Sequence, residues 1–133
     1  MYAKYSVGFL IGSLVQAGIV LLAEAIGISR LGARLTLGQL ALHILAGQAA
    51  GYILLLLLRK VETIQKWNTT LTGAVWGLIV WAIVIPINAV QGKVRLPWEA
   101  GIGTILASSI AFIVFGIITA YTIKHYGYEG NLA

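Results

Sequence analysis

Residues 72–92 read TGAVWGLIVWAIVIPINAVQG. From Gly73 to Ile87 no side chain is charged. At 1.5 Å rise per residue, the stretch is long enough as a helix to cross a hydrocarbon core of about 30 Å. At about 100° per residue, Gly73, Gly77, Trp81, Val84, Asn88 and Gln91 fall on one side. A face that runs small, small, aromatic, then polar suits a helix packed inside a bundle, with close backbone contact at one end. Pro86 is expected to break the helix near its end, with Asn88 and Gln91 finishing it. Trp76 lies on a different side from Trp81, which turns it toward lipid or a neighbouring subunit.

The rest of the chain has the same solvent. Of 133 residues, 59% are hydrophobic and 10% charged, with a mean hydropathy of +0.93. A soluble domain carries about 25% charged residues, so this chain lacks the polar surface to cover a water-soluble globule. Four apolar runs, at 7–28, 37–58, 70–91 and 98–123, account for most of the length. They predict an all-α fold: a single four-helix transmembrane bundle with short connections. In the N-terminal MYAKYSVGF one lysine precedes the first run, which continues too far for a signal peptide, so it reads as a retained span.

Punctuation supports these boundaries. Gly27 and Gly32, with Ser29 and Arg30 between, end the first helix. Thr36-Leu37-Gly38-Gln39 has the form of a capping box for the second, with Thr36 as N-cap and Gln39 at N3. Asn68 is the expected N-cap of the third, which also makes a cap the better reading of the Asn68-Thr69-Thr70 sequon. Pro97 and Glu99 mark the start of the fourth, expected to close at Lys124-His125-Tyr126-Gly127. Gly8/Gly12, Gly47/Gly51 and Gly73/Gly77 have the small-xxx-small spacing of close helix crossings, read first as packing within one bundle.

Several chemistries are excluded. Cysteine is absent, which removes disulfides, thiolate metal sites, Fe–S clusters and a cysteine nucleophile. There is no aspartate for an Asp-containing triad or dyad. The two histidines, His43 and His125, fall near opposite faces and cannot ligate one haem. No metal-ligand spacing and no phosphate loop is visible, and no cofactor is expected. The formal charge of +5 is spread over short connections. Membrane lipids satisfy it, and no nucleic acid is implied.

With four spans both termini share a side. That side holds Lys4, Arg59, Lys60, Lys66 and Lys124; the other holds Arg30, Arg34, Lys93 and Arg95. The small excess favours cytoplasmic termini, and dual topology and a homo-oligomer stay open.

The in-membrane polar residues gather toward one half of the bilayer, the outer half in this topology: Glu24, Gln39, His43, Asn88 and Gln91, with Thr104 and Ser108. An ionisable group at membrane depth costs roughly 2.5–3.5 kcal/mol on insertion scales and marks a candidate site. Counted from the helix ends, Glu24 and His43 stand at similar depth and could pair at the wall of a polar pocket. Asn88, near the carbonyl freed by Pro86, would add a ligand. The competing reading is structural: Glu24 pairs with Arg30 or Arg34 near the interface, and His43 hydrogen-bonds a neighbouring helix.

Thr36-Leu37-Gly38-Gln39, the Leu57-Leu58-Arg59-Lys60-Val61-Glu62 end of the second helix and Gly73-xxx-Gly77-xxx-Trp81 together resemble the small four-span membrane proteins of the Bacillus YqhR-like family. Pro86, Asn88, Gly116 and Tyr121 are similar in placement. The resemblance implies a bacterial, Firmicute-type protein of the cell membrane, and it carries over no catalytic or binding residue. The leading functional expectation is a non-enzymatic membrane protein with a structural or accessory role, binding lipid or a membrane partner. A small channel or transporter subunit using Glu24 and His43 is the rival. An intramembrane enzyme, resting on the same two side chains as an acid–base pair, comes third.

Overall fold

The computed structural model describes residues 2–28, 37–61, 66–92 and 97–130. They form α1 (Tyr2–Ala25), α2 (Leu37–Lys60), α3 (Thr69–Val90), a single turn α4 (Pro97–Ala100) and α5 (Ile102–Gly130). Four of these, all but α4, are long and apolar enough to cross a membrane. Among the described residues there is no strand. The protein is a four-helix membrane bundle.

Helix α5 is its centre. It packs along α3 on one side and α1 on the other, and α2 joins chiefly through α1. Gly8 of α1 meets Thr122 and Gly103 of α5 meets Ile28, so these two run antiparallel. Gly73 rests on Gly116 and Ile117 while Gly77 rests on Phe112 and Ile113, so α3 is antiparallel to α5 as well. The start of α1 and the end of α5 therefore lie at one end of the bundle.

Two apolar clusters stack along this axis. The first joins Val20, Val80, Ile85, Ala111, Phe112 and Phe115, with Ala50 of α2. The second, nearer the chain ends, contains Tyr5, Phe9, Leu54, Leu55, Leu58, Ala120 and Ile123. Trp76 packs against both. It is half-buried inside the bundle, not turned to lipid as its place on the helical wheel suggested.

The helix ends show why the chain turns where it does. α1 stops at Ala25, before the expected Ile28, because Gly27 adopts a left-handed φ of 83°. Its N–H bonds to the Glu24 carbonyl (3.2 Å), and Ile28 N–H to that of Ala23 (2.9 Å). This is the paired pattern of a Schellman cap. Asn68 caps α3 as expected, its side chain accepting from Thr70 N–H at 2.8 Å. Thr36, the expected cap of α2, lies outside the described residues.

Two expectations need correction. Pro86 does not break α3, which continues to Val90; inside a membrane bundle neighbouring groups can compensate the missing N–H. The last span is not one helix from Trp98. Gly101, at φ 122°, separates the α4 turn from α5, and its carbonyl accepts from Thr104 and Ile105 N–H. At the far end α5 continues past Lys124 to Gly130.

The glycines of α3 make a sharp prediction. A methyl group at Gly77 would overlap the Phe112 carbonyl, whereas one at Gly18 would meet nothing within 4 Å. Overpacking costs about 1–3 kcal/mol when side chains can yield, and more when backbone must move. Gly77→Leu should therefore abolish the stable monomer in mild detergent, measured by thermal unfolding and size-exclusion chromatography. Gly18→Leu should unfold within about 2 °C of the unmodified protein.

Candidate functional site

Of the polar residues singled out in the sequence, His43 stands apart from Glu24. The ring of His43 lies with Nε2 2.9 Å from the carbonyl oxygen of Ser13. A carbonyl can only accept, so Nε2 donates and carries the proton. Ser13 is eleven residues before Glu24 on α1, which is about 16 Å along the helix axis. The expected Glu24–His43 pair is therefore not formed.

The cause is stagger. Ser13 faces Gly47, and Phe9 faces Gly51. Ser6 meets Tyr52 through their hydroxyls and receives a hydrogen bond from Gln48 on its carbonyl (2.8 Å). This register brings Leu37 opposite the segment around Leu21, so α2 starts about one turn short of the end of α1. His43 is consequently carried toward the middle of the bundle. Depth counted from helix ends assumed that the two helices begin flush.

The remaining candidates lie nearer the other end. Glu24 is half-buried one turn beyond Val20, with its Oε2 shielded inside the bundle. Asn88 is one turn beyond Val84, which packs against the cluster that contains Val20. Its Nδ2 donates to the Val84 carbonyl of its own helix at 3.0 Å. Gln91 is the exposed C-cap of α3. The side chain of Gln39 lies outside the described set. Glu24 and Asn88 thus share an end of the bundle, but an apolar floor of Val20, Ile85 and their neighbours separates them from the level of Ser13.

Several polar groups join helices. Trp81 Nε1 donates to Ser108 Oγ at 2.9 Å, and that hydroxyl donates in turn to the Thr104 carbonyl at 2.7 Å. The Thr70 and Tyr121 hydroxyls are 2.7 Å apart. Lys124, buried near the end of α5, donates from Nζ to the Trp67 carbonyl at 2.9 Å. Tyr5 stacks on Phe9 (6.3 Å between centroids), and Phe9 meets Tyr52 edge-on (5.1 Å). Ser6, Ser13 and Tyr52 were missed in the sequence, where a lone hydroxyl in an apolar run gives no sign of which partner it will find. Among the described residues no group of three or more acidic or histidine side chains could hold a metal.

The fold and this arrangement define a multi-pass membrane protein in which several intramembrane polar groups join helix to helix. No family model matches the chain, and no solved structure matches it. One stretch of 77 residues, 56% of this chain, is 33% identical to the S-adenosylmethionine permease GAP4 of Candida albicans. The match spans 12% of that permease.

The Trp81–Ser108 bond can be tested directly. Ser108→Ala leaves a half-buried indole N–H without its acceptor and should cost about 1–2 kcal/mol in thermal unfolding. Trp81→Phe combined with Ser108→Ala should cost less than the sum of the two single changes.

Proposed function

We propose that this is a non-enzymatic membrane protein with an accessory role, acting through the outward faces of its helices on lipid or on a membrane-embedded partner. One observation carries the reading: several polar side chains within the spans are engaged with neighbouring backbone and side chains, as in His43 with Ser13, Gln48 with Ser6 and Trp81 with Ser108. What is left outward is apolar, including Leu22, Leu42, Leu45, Ile53, Ile83 and Ile87. A surface of this kind offers lipid chains or another span dispersion contacts and no chemistry. In this reading the protein sits in a bacterial cell membrane with both termini cytoplasmic, supported by the excess of Lys and Arg at the end that carries Lys4, Arg59, Lys60, Lys66 and Lys124. Membership of the YqhR-like family rests on the residues quoted for it above.

The stretch similar to a permease favours a second reading, a small transporter subunit in which Glu24 acts at the outer end. Flux separates the two. The purified protein in liposomes should pass neither protons nor S-adenosylmethionine above empty vesicles. Flux that is lost in Glu24→Gln would replace the accessory reading with the transporter.

Topology has its own test, made simple by the absence of native cysteine. In intact cells an impermeant thiol reagent should label a cysteine at Gly92 but not one at Thr63, which should react only after lysis. A cysteine at His43 should stay protected in both. Labelling at Thr63 in intact cells would invert the orientation, and labelling at His43 would show an open path to the middle of the bundle.

A further inference from the structure

Three contacts meet at one turn of α1. Gly12 lies against the ring of Phe115 on α5. Ser13 Oγ sits where a side chain at Gly47 of α2 would begin, and Gly47 borders the same Phe115 ring. His43, one turn before Gly47, donates to the Ser13 carbonyl at 2.9 Å. In a helix that carbonyl points at the N–H four residues on, so the imidazole lies beside the turn from Ser13 to Ala17.

Gln16 stands in this turn. It is four residues from Gly12 and three from Ser13, so it leaves α1 between the directions those two take. One direction leads to Phe115, the other to Gly47 and His43. A helical side chain leans toward the start of its helix, which carries the Gln16 amide back over Gly12 and Ser13. Gln16 is only 6% exposed, yet among the described residues its amide makes no hydrogen bond. Other polar side chains of the spans are bonded: Gln48 to the Ser6 carbonyl, and Thr72, Ser108 and Thr122 each to a carbonyl four residues earlier. Ser13 Oγ, three residues from Gln16, is fully buried and makes none either. Unlike that hydroxyl, the Gln16 amide is not closed off on every side, which leaves room beside it. Nε2 of His43 holds the ring proton, so Nδ1 is an acceptor, and among the described residues nothing donates to it. Unsatisfied polar groups in an apolar interior are costly, and native structures seldom keep them.

We propose that Gln16, Ser13 and His43 form a polar niche at the seam of α1 and α2, floored by Phe115, which binds a small neutral hydrogen-bonding guest with water as its resident. The groups select the guest. Nδ1 requires a donor, the Gln16 amide offers both a donor and an acceptor, and the hydroxyl can serve as either. A charged guest would find no counter-charge. His43 aside, the nearest charged side chains on α1, α2 and α5 are Glu24, Arg59 and Lys124, each two turns or more along its own helix. Water makes about three hydrogen bonds in such sites, and here it would tie α1 to α2 alongside the direct His43 bond. The niche depends on neither the accessory nor the transporter reading.

Magnetisation transfer from water to side-chain amide protons, measured by NMR on protein labelled with 15N-glutamine in nanodiscs, tests this. Gln16→Leu identifies the Gln16 signal. Transfer to Gln16 is expected in the unmodified protein, and Gln16→Leu should lower the thermal midpoint by about 4 °C. No transfer to Gln16 would overturn the niche. So would a Gln16→Leu protein as stable as the unmodified one or more so, because replacing a dry amide by an apolar group of similar size relieves an unsatisfied group. If Gln16→Leu does not fold, Gln16→Met supplies both the assignment and the stability comparison.

Discussion

The contact between the backbones of α3 and α5 is the constraint on which the bundle depends. Lipid chains are as apolar as leucine, so helices in a membrane gain little from the hydrophobic effect and associate through dispersion and hydrogen bonds. Both need close approach. Gly73 and Gly77 on α3 and Gly116 on α5 supply it, because their lack of a side chain lets one helix rest on the other's peptide groups. Once the two axes are this near, Trp81 reaches Ser108 and Thr70 reaches Tyr121. On its other side α5 receives α1 at Gly8 and Gly12. The last helix of the chain is thus the scaffold for the first and the third.

The attachment of α2 uses different physics. It approaches α1 at Gly47 and Gly51, but aromatic stacking and three polar contacts set its height. Phe9 sits between Tyr5 and Tyr52, and Ser6 and Ser13 receive Gln48 and His43 on their carbonyls. Backbone carbonyls inside a helix are already bonded once, yet each keeps a second lone pair. Using that lone pair lets a histidine lie at membrane depth without a charged partner.

Four helices were legible because four apolar runs of bilayer length leave a chain of this size little else to be. The cap at Asn68 and the stop at Gly27 were legible too, since each follows from local backbone chemistry. Other local signals were overruled. Pro86 reads as a break, but α3 runs through it. Pro97 and Glu99 read as the start of the last span, yet the left-handed Gly101 makes them a separate turn. Within the candidate site, His43 as a hydrogen-bonding partner for a neighbouring helix was one of two readings the sequence allowed. The pair with Glu24 failed because adjacent helices need not begin at one height, and only side-chain interlock between Phe9, Gly51, Ser13 and Gly47 sets their stagger.

The amino-acid sequence by itself determined the solvent, the secondary structure and the number of crossings. These follow from composition, from run length and from the demand that backbone groups in lipid be satisfied within each helix. It also determined which small residues were available for close contact. Tertiary structure decided which helix each glycine would face, that α5 would be the centre, and where each polar group would end. Those outcomes depend on rotation and sliding of whole helices, which many sequences of the same hydropathy leave free. They are resolved only when a few shapes, a glycine under a carbonyl or a ring against a turn, fit at one register and at no other.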